Sequence, residues 1–352
     1  MLREFRINNF DILRLLAATQ VLIVHSCYHL NLSSNYFKFF YPFQGVPIFF
    51  VISGYLISSS FEKSNDLKNY FRNRILRIYP GLWGCLIVTI ITAAVFGGIN
   101  FINPGTIPWL LAQMAGIIYT PNILKNYGFG SYNGALWTIP IELQFYILLP
   151  VVYFLKDKLK SNYFFTILWL LFFLIAFFFK LYFSIEEPET IIKKLLRYSF
   201  LPDFWLFLTG VILQRAKVYK SNLIYGKGLI WLCAYILFSL LVPYTTILSL
   251  FSMFFLGITA ISLAYTFPSF SNKLFKGNDI SYGVYIYHGI VVNIFVQLSF
   301  IHRNNYLLYV LLITYILAFI SWKLIEKPFI SKKAKTIHSI NVEAYSKTEH
   351  IK

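Results

Sequence analysis

The stretch Arg14-Leu-Leu-Ala-Ala-Thr-Gln-Val-Leu-Ile-Val-His25 places two ionisable side chains in an apolar segment long enough for a membrane-spanning helix. Ionisable groups inside a bilayer cost at least roughly 2 to 3 kcal/mol, so they usually face a protein interior or a wet cavity. Arg14 and His25 are eleven residues apart, which is about three helical turns and about 16 Å along the axis. The two side chains therefore share one helix face. If Arg14 lies at one membrane surface, His25 is a proton-handling group near the midplane.

The composition indicates an integral membrane protein. Of the 352 residues, 58% are hydrophobic, 20% aromatic and only 13% charged, and the mean hydropathy is +0.63. A soluble globular protein is less apolar and carries more charge. The net charge of +17 would suit nucleic acid, but the basic residues form short clusters between apolar runs, as the positive-inside rule predicts. We therefore expect membrane lipids, and no nucleic acid, as partners.

Neither a disulfide framework nor a metal site is indicated. Cys27, Cys85 and Cys233 stand singly within apolar stretches. His29 follows His25 by one helical turn, so a two-histidine site is conceivable, but no third ligand has suitable spacing and no metal is expected. The first apolar stretch lacks a small-residue cleavage site and is interpreted as a retained helix.

The apolar runs predict an all-α fold, a polytopic transmembrane helical bundle with about ten spanning helices. They lie at residues 10–29, 45–62, 80–98, 135–155, 163–183, 199–214, 226–243, 246–267, 280–301 and 306–325. A further run at 106–124 contains Pro and Gly, and omitting it puts every dense basic loop on the cytoplasmic side. That run is therefore predicted to be re-entrant or interfacial. The chain is expected in the cell (inner) membrane with both termini cytoplasmic, residues 1–335 forming the transmembrane domain and 336–352 a disordered cytoplasmic tail.

Arg72, Arg74 and Arg77 precede the third apolar run. Arg74 and Arg77 are three residues apart and share a helix face. Guanidinium groups bind phosphate with two parallel hydrogen bonds, so this pair could bind a polyanion. The same cluster also fits a positive-inside anchor at a helix start. Because cations are disfavoured at a helix N-terminus, a bound polyanion is mildly favoured, and both interpretations remain open.

Two further ionisable residues lie within apolar runs. Glu142 follows Trp137 and Pro140, and its position predicts a depth of about 9 to 12 Å from the outer surface, deep enough to approach His25. Such a carboxylate needs a partner, and structural pairing is as plausible as a functional role. His288 stands among tyrosines and fits either a hydrogen-bonded core histidine or a functional one.

Six segments of the chain together resemble acyltransferase family 3 over essentially its whole length. They run from Asp11 to His25, Gly45 to Tyr55, Arg74 to Pro80, Leu136 to Tyr146, Ser281 to His288 and Trp322 to Phe329. The Gly45 to Tyr55 segment on its own would indicate only close helix packing through small residues. Each motif is loose, but their common order makes the resemblance specific.

The resemblance implies an integral membrane enzyme that takes an acyl group, usually acetyl, from cytoplasmic acyl-CoA. The acceptor would be a hydroxyl of an extracytoplasmic surface polysaccharide or lipid-linked glycan. By position it implies a catalytic histidine, its motif partner, cytoplasmic arginines that bind CoA and the acid of a Trp–Glu motif. In this sequence these are His25, Arg14, the pair Arg74 and Arg77 with Arg72 in the same cluster, and Glu142.

The chain departs from the family pattern at Pro47, where many members carry an acid, so any role of that acid is in doubt here. Some members also carry a further C-terminal domain, and without one transfer would finish inside the membrane domain or on a separate partner. A neutral imidazole could act as general base or carry the acyl group covalently. The alternative function is a transporter or flippase for a lipid-linked sugar or other envelope precursor, which composition alone would equally suit.

Overall fold

The structure is a computed structural model, and it describes residues 5, 8–33, 37–64, 66–183, 190–242, 245–268 and 270–330. These ranges are helical or irregular and contain no β-strand. The tail predicted at 336–352 lies outside them. The helices are α1 (Phe10–His29), α2 (Gly45–Ser64), α3 (Leu67–Gly97), α4 (Thr106–Met114), α5 (Thr138–Leu159), α6 (Phe164–Phe183), α7 (Ile191–Arg197), α8 (Phe204–Arg215), α9 (Gly228–Leu241), α10 (Thr246–Ala264), α11 (Phe270–Phe275), α12 (Ser281–Gln297) and α13 (Tyr306–Ser321).

The all-α, multi-pass membrane architecture is confirmed. Within the described ranges, seven helical segments are long and apolar enough to cross a membrane. Each of the ten predicted runs contains a helix, but α8, α9 and α12 have only 12, 14 and 17 residues. A helix needs about 20 residues to cross a bilayer without tilt or adjustment. The count of ten spans is therefore not confirmed.

The run at 106–124 forms a short helix and an irregular segment. Helix α4 has nine residues, so it is about 13 Å long and too short to span. Its end is fixed by side chains that bind the following backbone: Trp109 Nε1 donates to the Tyr119 carbonyl at 3.0 Å, and Gln113 Nε2 donates to the Ile117 carbonyl at 2.9 Å. This agrees with the predicted re-entrant or interfacial segment.

Helix α3 begins earlier than its apolar run. It starts at Leu67, where Asp66 caps the helix by accepting hydrogen bonds from the backbone N–H groups of Lys68 and Asn69. Arg74 and Arg77 therefore lie two to three turns inside the helix. The expectation that these arginines stand at an unfavourable helix N-terminus was wrong, because the field of the dipole acts mainly within the first turn.

The bundle is built around α8, α2, α1 and α12, which pack in that order, each on the next, and contribute many of the buried side chains. Helices α2 and α8 approach through glycine: a Cβ atom on Gly54 would overlap the backbone oxygen of Phe207, and one on Gly210 would overlap that of Val51. Close helix packing, expected of the Gly45 to Tyr55 segment, is thus present. On its other side α1 packs along α12, which brings the two intramembrane histidines together.

Candidate active site

Two histidines on neighbouring helices form a pair. His25 Nδ1 on α1 lies 3.1 Å from His288 Nε2 on α12. His288 is fully buried, whereas His25 is partly buried. The other ring nitrogen of His288, Nδ1, lies 3.3 Å from the carbonyl oxygen of Val284, one turn earlier in the same helix. His25 and His288, which are far apart in the sequence, therefore contact each other directly.

The loop that precedes α5 packs on His29, beside this pair. The ring of Phe129 stacks on His29 with centroids 3.8 Å apart, one turn from His25. The loop is fastened to α12 by two amide side chains. The backbone N–H of Phe129 donates to Asn293 Oδ1 at 3.0 Å, and that of Gly128 donates to Gln297 Oε1 at 2.9 Å.

The histidine cluster is not arranged as a metal site. The rings of His25 and His29 are 6.1 Å apart and nearly perpendicular, and the Nδ1 atom of His25 faces His288. Across the described ranges, no group of three or more His, Cys, Asp or Glu side chains is placed to hold a metal ion.

A cavity of about 110 Å³ lies beside the histidine pair, between α1, α2, α3, α5 and α12. Its wall includes Arg14, Arg74, Arg77 and Glu142, which are four of the six site residues predicted from the sequence. These residues come from three different helices, so their convergence is a tertiary feature. His25 does not line this cavity.

Of the three arginines in the cavity wall, Arg74 is the one without a carboxylate partner among the described residues. Its Nε atom is buried and has no hydrogen-bond partner there, and the hydrogen bond from its Nη2 to Ser60 Oγ is long, at 3.5 Å. The guanidinium carbon lies 5.8 Å from the ring centres of both Tyr70 and Tyr146. A buried donor without a partner is costly unless a ligand supplies the acceptor. Arg72, by contrast, is exposed and does not line the cavity.

Arg77 and Arg14 are paired with one carboxylate. Arg77 Nη2 lies 2.5 Å from Asp279 Oδ2, and Arg14 Nη1 lies 3.2 Å from the same oxygen. Arg14 also contacts Asp11 at 3.2 Å, and the second oxygen of Asp279 accepts from the Ser281 hydroxyl at 2.5 Å. Burial raises the pKa of Asp279, but the attraction of Arg77 and Arg14 outweighs it and lowers that pKa to about 2.

Glu142 is held by hydroxyl groups. Its Oε1 atom accepts a hydrogen bond from Tyr146 and a second from Ser53 Oγ at 3.2 Å. Since Tyr146 also lies against Arg74, this tyrosine links the acid to the guanidinium whose Nε has no partner among the described residues. In the part of the chain that the structure describes, no hydrogen bond or ion pair joins Glu142 to His25.

Tyr285 connects the cavity with the histidine pair. Tyr285 and Phe49 both line the cavity, with ring centres 5.4 Å apart. The ring centre of Tyr285 is also 6.0 Å from that of His288. The tyrosine is fixed by its hydroxyl, which lies 2.8 Å from the Ala135 carbonyl and 2.7 Å from the Thr138 hydroxyl. The site therefore has two parts, a cationic cavity and a histidine pair, and Tyr285 contacts both.

Sequence reasoning did not assign roles to Asp279, Tyr146 or Glu326. A helix-start signal was available for Asp279, which stands directly before the apolar run at 280–301. Glu326 is fully buried in the π-helical turn Trp322–Glu326, with Oε1 accepting from Ser321 at 3.1 Å and Oε2 without a hydrogen-bond partner. Its place in the closing motif was the available signal.

The sequence model of acyltransferase family 3, described as an acyltransferase domain, matches residues 7–325. The chain belongs to acyltransferase family 3. It is 28% identical to nodulation protein 10 of Rhizobium leguminosarum bv. viciae, over 91% of this chain and 92% of the relative. It is 27% identical to an O-acetyl transferase of Shigella phage Sf6, over 93% and 97%.

A third relative is the peptidoglycan O-acetyltransferase of Listeria monocytogenes serovar 1/2a, which is 27% identical over 91% of this chain and 55% of the relative. No solved structure matches the chain. Membership of acyltransferase family 3 makes the protein an enzyme of acyl transfer and favours this class over the transporter or flippase that composition left open.

Proposed function

We propose that the protein is a membrane O-acetyltransferase that moves an acetyl group from cytoplasmic acetyl-CoA to a hydroxyl of an extracytoplasmic surface polysaccharide or lipid-linked glycan. The observation that carries the proposal is the cationic cavity, which meets the histidine pair through Tyr285. Two of the relatives, a phage O-acetyl transferase and a peptidoglycan O-acetyltransferase, support acetyl as the group and a glycan as the acceptor.

The donor would approach from the cytoplasm, where the basic loops and both termini are expected. Acyl-CoA is a polyanion with a long, thin pantetheine arm, and a cavity of about 110 Å³ suits the arm better than a whole nucleotide. The Nε–H of Arg74, which has no partner among the described residues, can donate a hydrogen bond to a phosphate or amide oxygen of acyl-CoA. Arg14 and Arg77, already paired with Asp279, would contribute the electrostatic field of the wall.

His25 would act at the far end of the donor arm. In the general-base form, its free ring nitrogen takes the proton of the acceptor hydroxyl as the hydroxyl oxygen attacks the thioester carbonyl. The carbon–sulfur bond then breaks, and the proton passes to the CoA thiolate, giving an acetyl ester and free CoA. In the covalent form, the same nitrogen attacks the thioester carbonyl, and the carbon–sulfur bond breaks to release the CoA thiolate. The acceptor hydroxyl then attacks the acetyl-imidazole, the carbon–nitrogen bond breaks, and the hydroxyl proton passes to the thiolate.

Glu142 lines the donor cavity and contacts Tyr146 and Ser53. We therefore assign it to the donor side of the reaction and not to His25. Tyr146 donates a hydrogen bond to Glu142, which orients the tyrosine ring that lies against Arg74. Glu142 would thereby set the position of the Arg74 guanidinium, which binds a phosphate or an amide of acyl-CoA. Arg72 is exposed, and its proposed role is limited to attracting the polyanion.

The proposal is tested by mass spectrometry of surface glycans from cells with and without the gene. We expect acetyl-sized mass additions only when the gene is present, with consumption of labelled acetyl-CoA by membranes that contain the protein. Identical glycan masses in both strains would refute it. Glycan appearing at the surface only with the gene, without acetyl-CoA consumption, would instead support the flippase.

A further inference from the structure

The hydrogen bonds around His288 determine which of its ring nitrogens carries a proton. The carbonyl oxygen of Val284 can only accept a hydrogen bond, and it faces His288 Nδ1 at 3.3 Å. His288 is fully buried, and a charged imidazolium there would lack a carboxylate partner and cost far more than a neutral ring. His288 is therefore neutral, with its proton on Nδ1 and a lone pair on Nε2.

That lone pair points at His25. The two nitrogens are 3.1 Å apart, so one of them must supply a hydrogen atom, and with His288 Nε2 unprotonated the donor is His25 Nδ1. The opposite arrangement would place the lone pair of His288 Nδ1 against the Val284 oxygen, where two acceptors repel. A neutral His25 that donates from Nδ1 has its lone pair on Nε2.

We propose that His288 is a positioning residue that holds His25 in the Nδ1–H form and so presents Nε2 as its reactive nitrogen. The proposal rests on the proposed function, in which His25 reacts with the acceptor hydroxyl or the acetyl group. A catalytic base is commonly oriented by a third group that accepts a hydrogen bond from its other nitrogen. In this chain a neutral histidine takes the place that a carboxylate often fills.

The turn that carries His288 is fixed by its neighbours. Asn133 Nδ2 donates to the Ile286 carbonyl at 2.7 Å, and the Tyr285 hydroxyl lies 2.8 Å from the Ala135 carbonyl. Gly289 approaches so closely that a Cβ there would overlap Asn133 Oδ1. These contacts from the residues before α5 leave His288 little freedom, as a positioning role requires.

The role predicts a separation between turnover and donor binding. When His25 takes up a proton or an acetyl group at Nε2, its Nδ1–H keeps its acceptor only while His288 is present. Without His288 as the hydrogen-bond acceptor, the His25 ring can rotate or carry its proton on Nε2 instead of Nδ1, so kcat falls. Donor binding should hardly change, because the arginines belong to the cavity and not to the histidine pair.

Three substitutions separate positioning from packing. His288→Gln places its amide oxygen near the position of Nε2 and can still accept from His25. His288→Asn is too short for this contact and its amide can reach only the Val284 carbonyl, while His288→Leu keeps volume alone. We expect kcat to fall on the order of 100-fold in the Leu and Asn variants and less than about tenfold in the Gln variant, with the KM for acetyl-CoA unchanged in all three. Equal activity of the Gln and Leu variants, both binding CoA normally in calorimetry, would overturn the proposal.

The wild-type protein provides a second measurement that needs no variant at position 288. Histidine-specific ¹⁵N labelling, with His25→Gln used to assign the signal, reports which nitrogen of His25 is protonated. We expect a protonated Nδ1 and a bare Nε2. A His25 protonated at Nε2 would overturn the proposal even if acetyl transfer is established, whereas the expected spectrum from a protein without transferase activity would leave the pair intact and refute only the proposed function.

Discussion

Arg77 Nη2 donates to Asp279 Oδ2 at 2.5 Å, and this pairing distinguishes Arg77 from its neighbour Arg74. The two arginines share one face of α3 and line the same cavity. Arg77 has a carboxylate partner, whereas the Nε of Arg74 is buried without one. Arg74 is therefore the better candidate for direct contact with the donor, and Arg77 for supporting the cavity wall.

Arg74→Ala should weaken CoA binding by about 1.5 to 3 kcal/mol, the usual range for a hydrogen bond to a charged group, and raise the KM for acetyl-CoA. Arg74→Lys should recover only part of this, because Lys retains the charge but loses the planar fork. Calorimetry on detergent-purified protein measures the affinity. Arg72→Ala is the comparison variant: Arg72 is exposed and its proposed role is long-range attraction alone, so its loss should weaken binding much less than Arg74→Ala. Unchanged affinity in both Arg74 variants would mean that the donor binds elsewhere.

Asp279→Asn should destabilise the protein, because it leaves Arg14 and Arg77 without their shared counter-charge. We expect a loss of about 1 to 3 kcal/mol, below the range for a fully buried pair, since the two arginine side chains are 25% and 26% exposed. Thermal unfolding in detergent measures the difference. An unaltered midpoint would contradict a supporting role for this carboxylate.

The same pair predicts a pH dependence. The pKa of Asp279 in the folded protein is about 2, below the value of about 3.9 expected for the unfolded chain. The stabilisation is therefore fully present above about pH 4 and is lost as the pH falls through the folded pKa. The difference in midpoint between wild type and Asp279→Asn should stay constant from about pH 8 to about pH 5 and shrink below about pH 4. A difference that disappears near neutral pH would show that Asp279 is not held ionised.

Phe49→Ala should broaden acyl specificity. Phe49 lines the cavity and packs on Tyr285, whose ring in turn contacts that of His288, so its removal makes room beside the proposed path of the acyl group. One methylene in a tight pocket is worth about 1 to 3 kcal/mol. The ratio of kcat/KM for butyryl-CoA to that for acetyl-CoA should therefore rise at least about tenfold. Phe172→Ala, in a packing cluster with Phe200 and Phe204, is the control, and an equal rise there would remove Phe49 from the acyl path.

Topology can be tested by labelling single cysteines in intact cells. Cys27, Cys85 and Cys233 are first replaced, and the cysteine-free protein is checked for activity. Lys125→Cys, in the loop before α5, should react with a membrane-impermeant thiol reagent from outside, while Lys158→Cys, at the end of α5, should not. Both positions are exposed in the fold, so reversed labelling would place α5, and with it the cationic cavity, in the opposite orientation.

The helices were largely predictable, because long apolar runs are a strong local signal. The missed start of α3 follows from the same reasoning: residues 67–79 contain four basic side chains, which excluded them from an apolar run, although Leu67, Tyr70, Phe71 and Ile78 recur at helical spacing. The capping residue Asp66 did provide a signal for that start. The number of spans was harder, since α8, α9 and α12 are shorter than their apolar runs.

The sequence selected candidate residues of the site but not their arrangement. Motif positions identified Arg14, Arg74, Arg77 and Glu142, which the fold brings to one cavity. The depth of Glu142 in its helix suggested that it approaches His25. Depth does not specify which face of a helix meets which neighbour, and in the structure Glu142 contacts Tyr146. The pairing of His25 with His288 joins residues 263 positions apart, and no local pattern encodes such a contact.

The proposed transfer of the acetyl group by His25 is tested most directly by measuring glycan acetylation in cells that carry His25→Ala at wild-type expression. We expect acetyl-sized mass additions on surface glycans to disappear in this variant. His29→Ala, one turn away and stacked on Phe129, should show a much smaller loss. Equal loss in both variants would instead call for a metal analysis of the pair. Near-normal acetylation by His25→Ala would contradict the assignment of His25 and, with it, the mechanism.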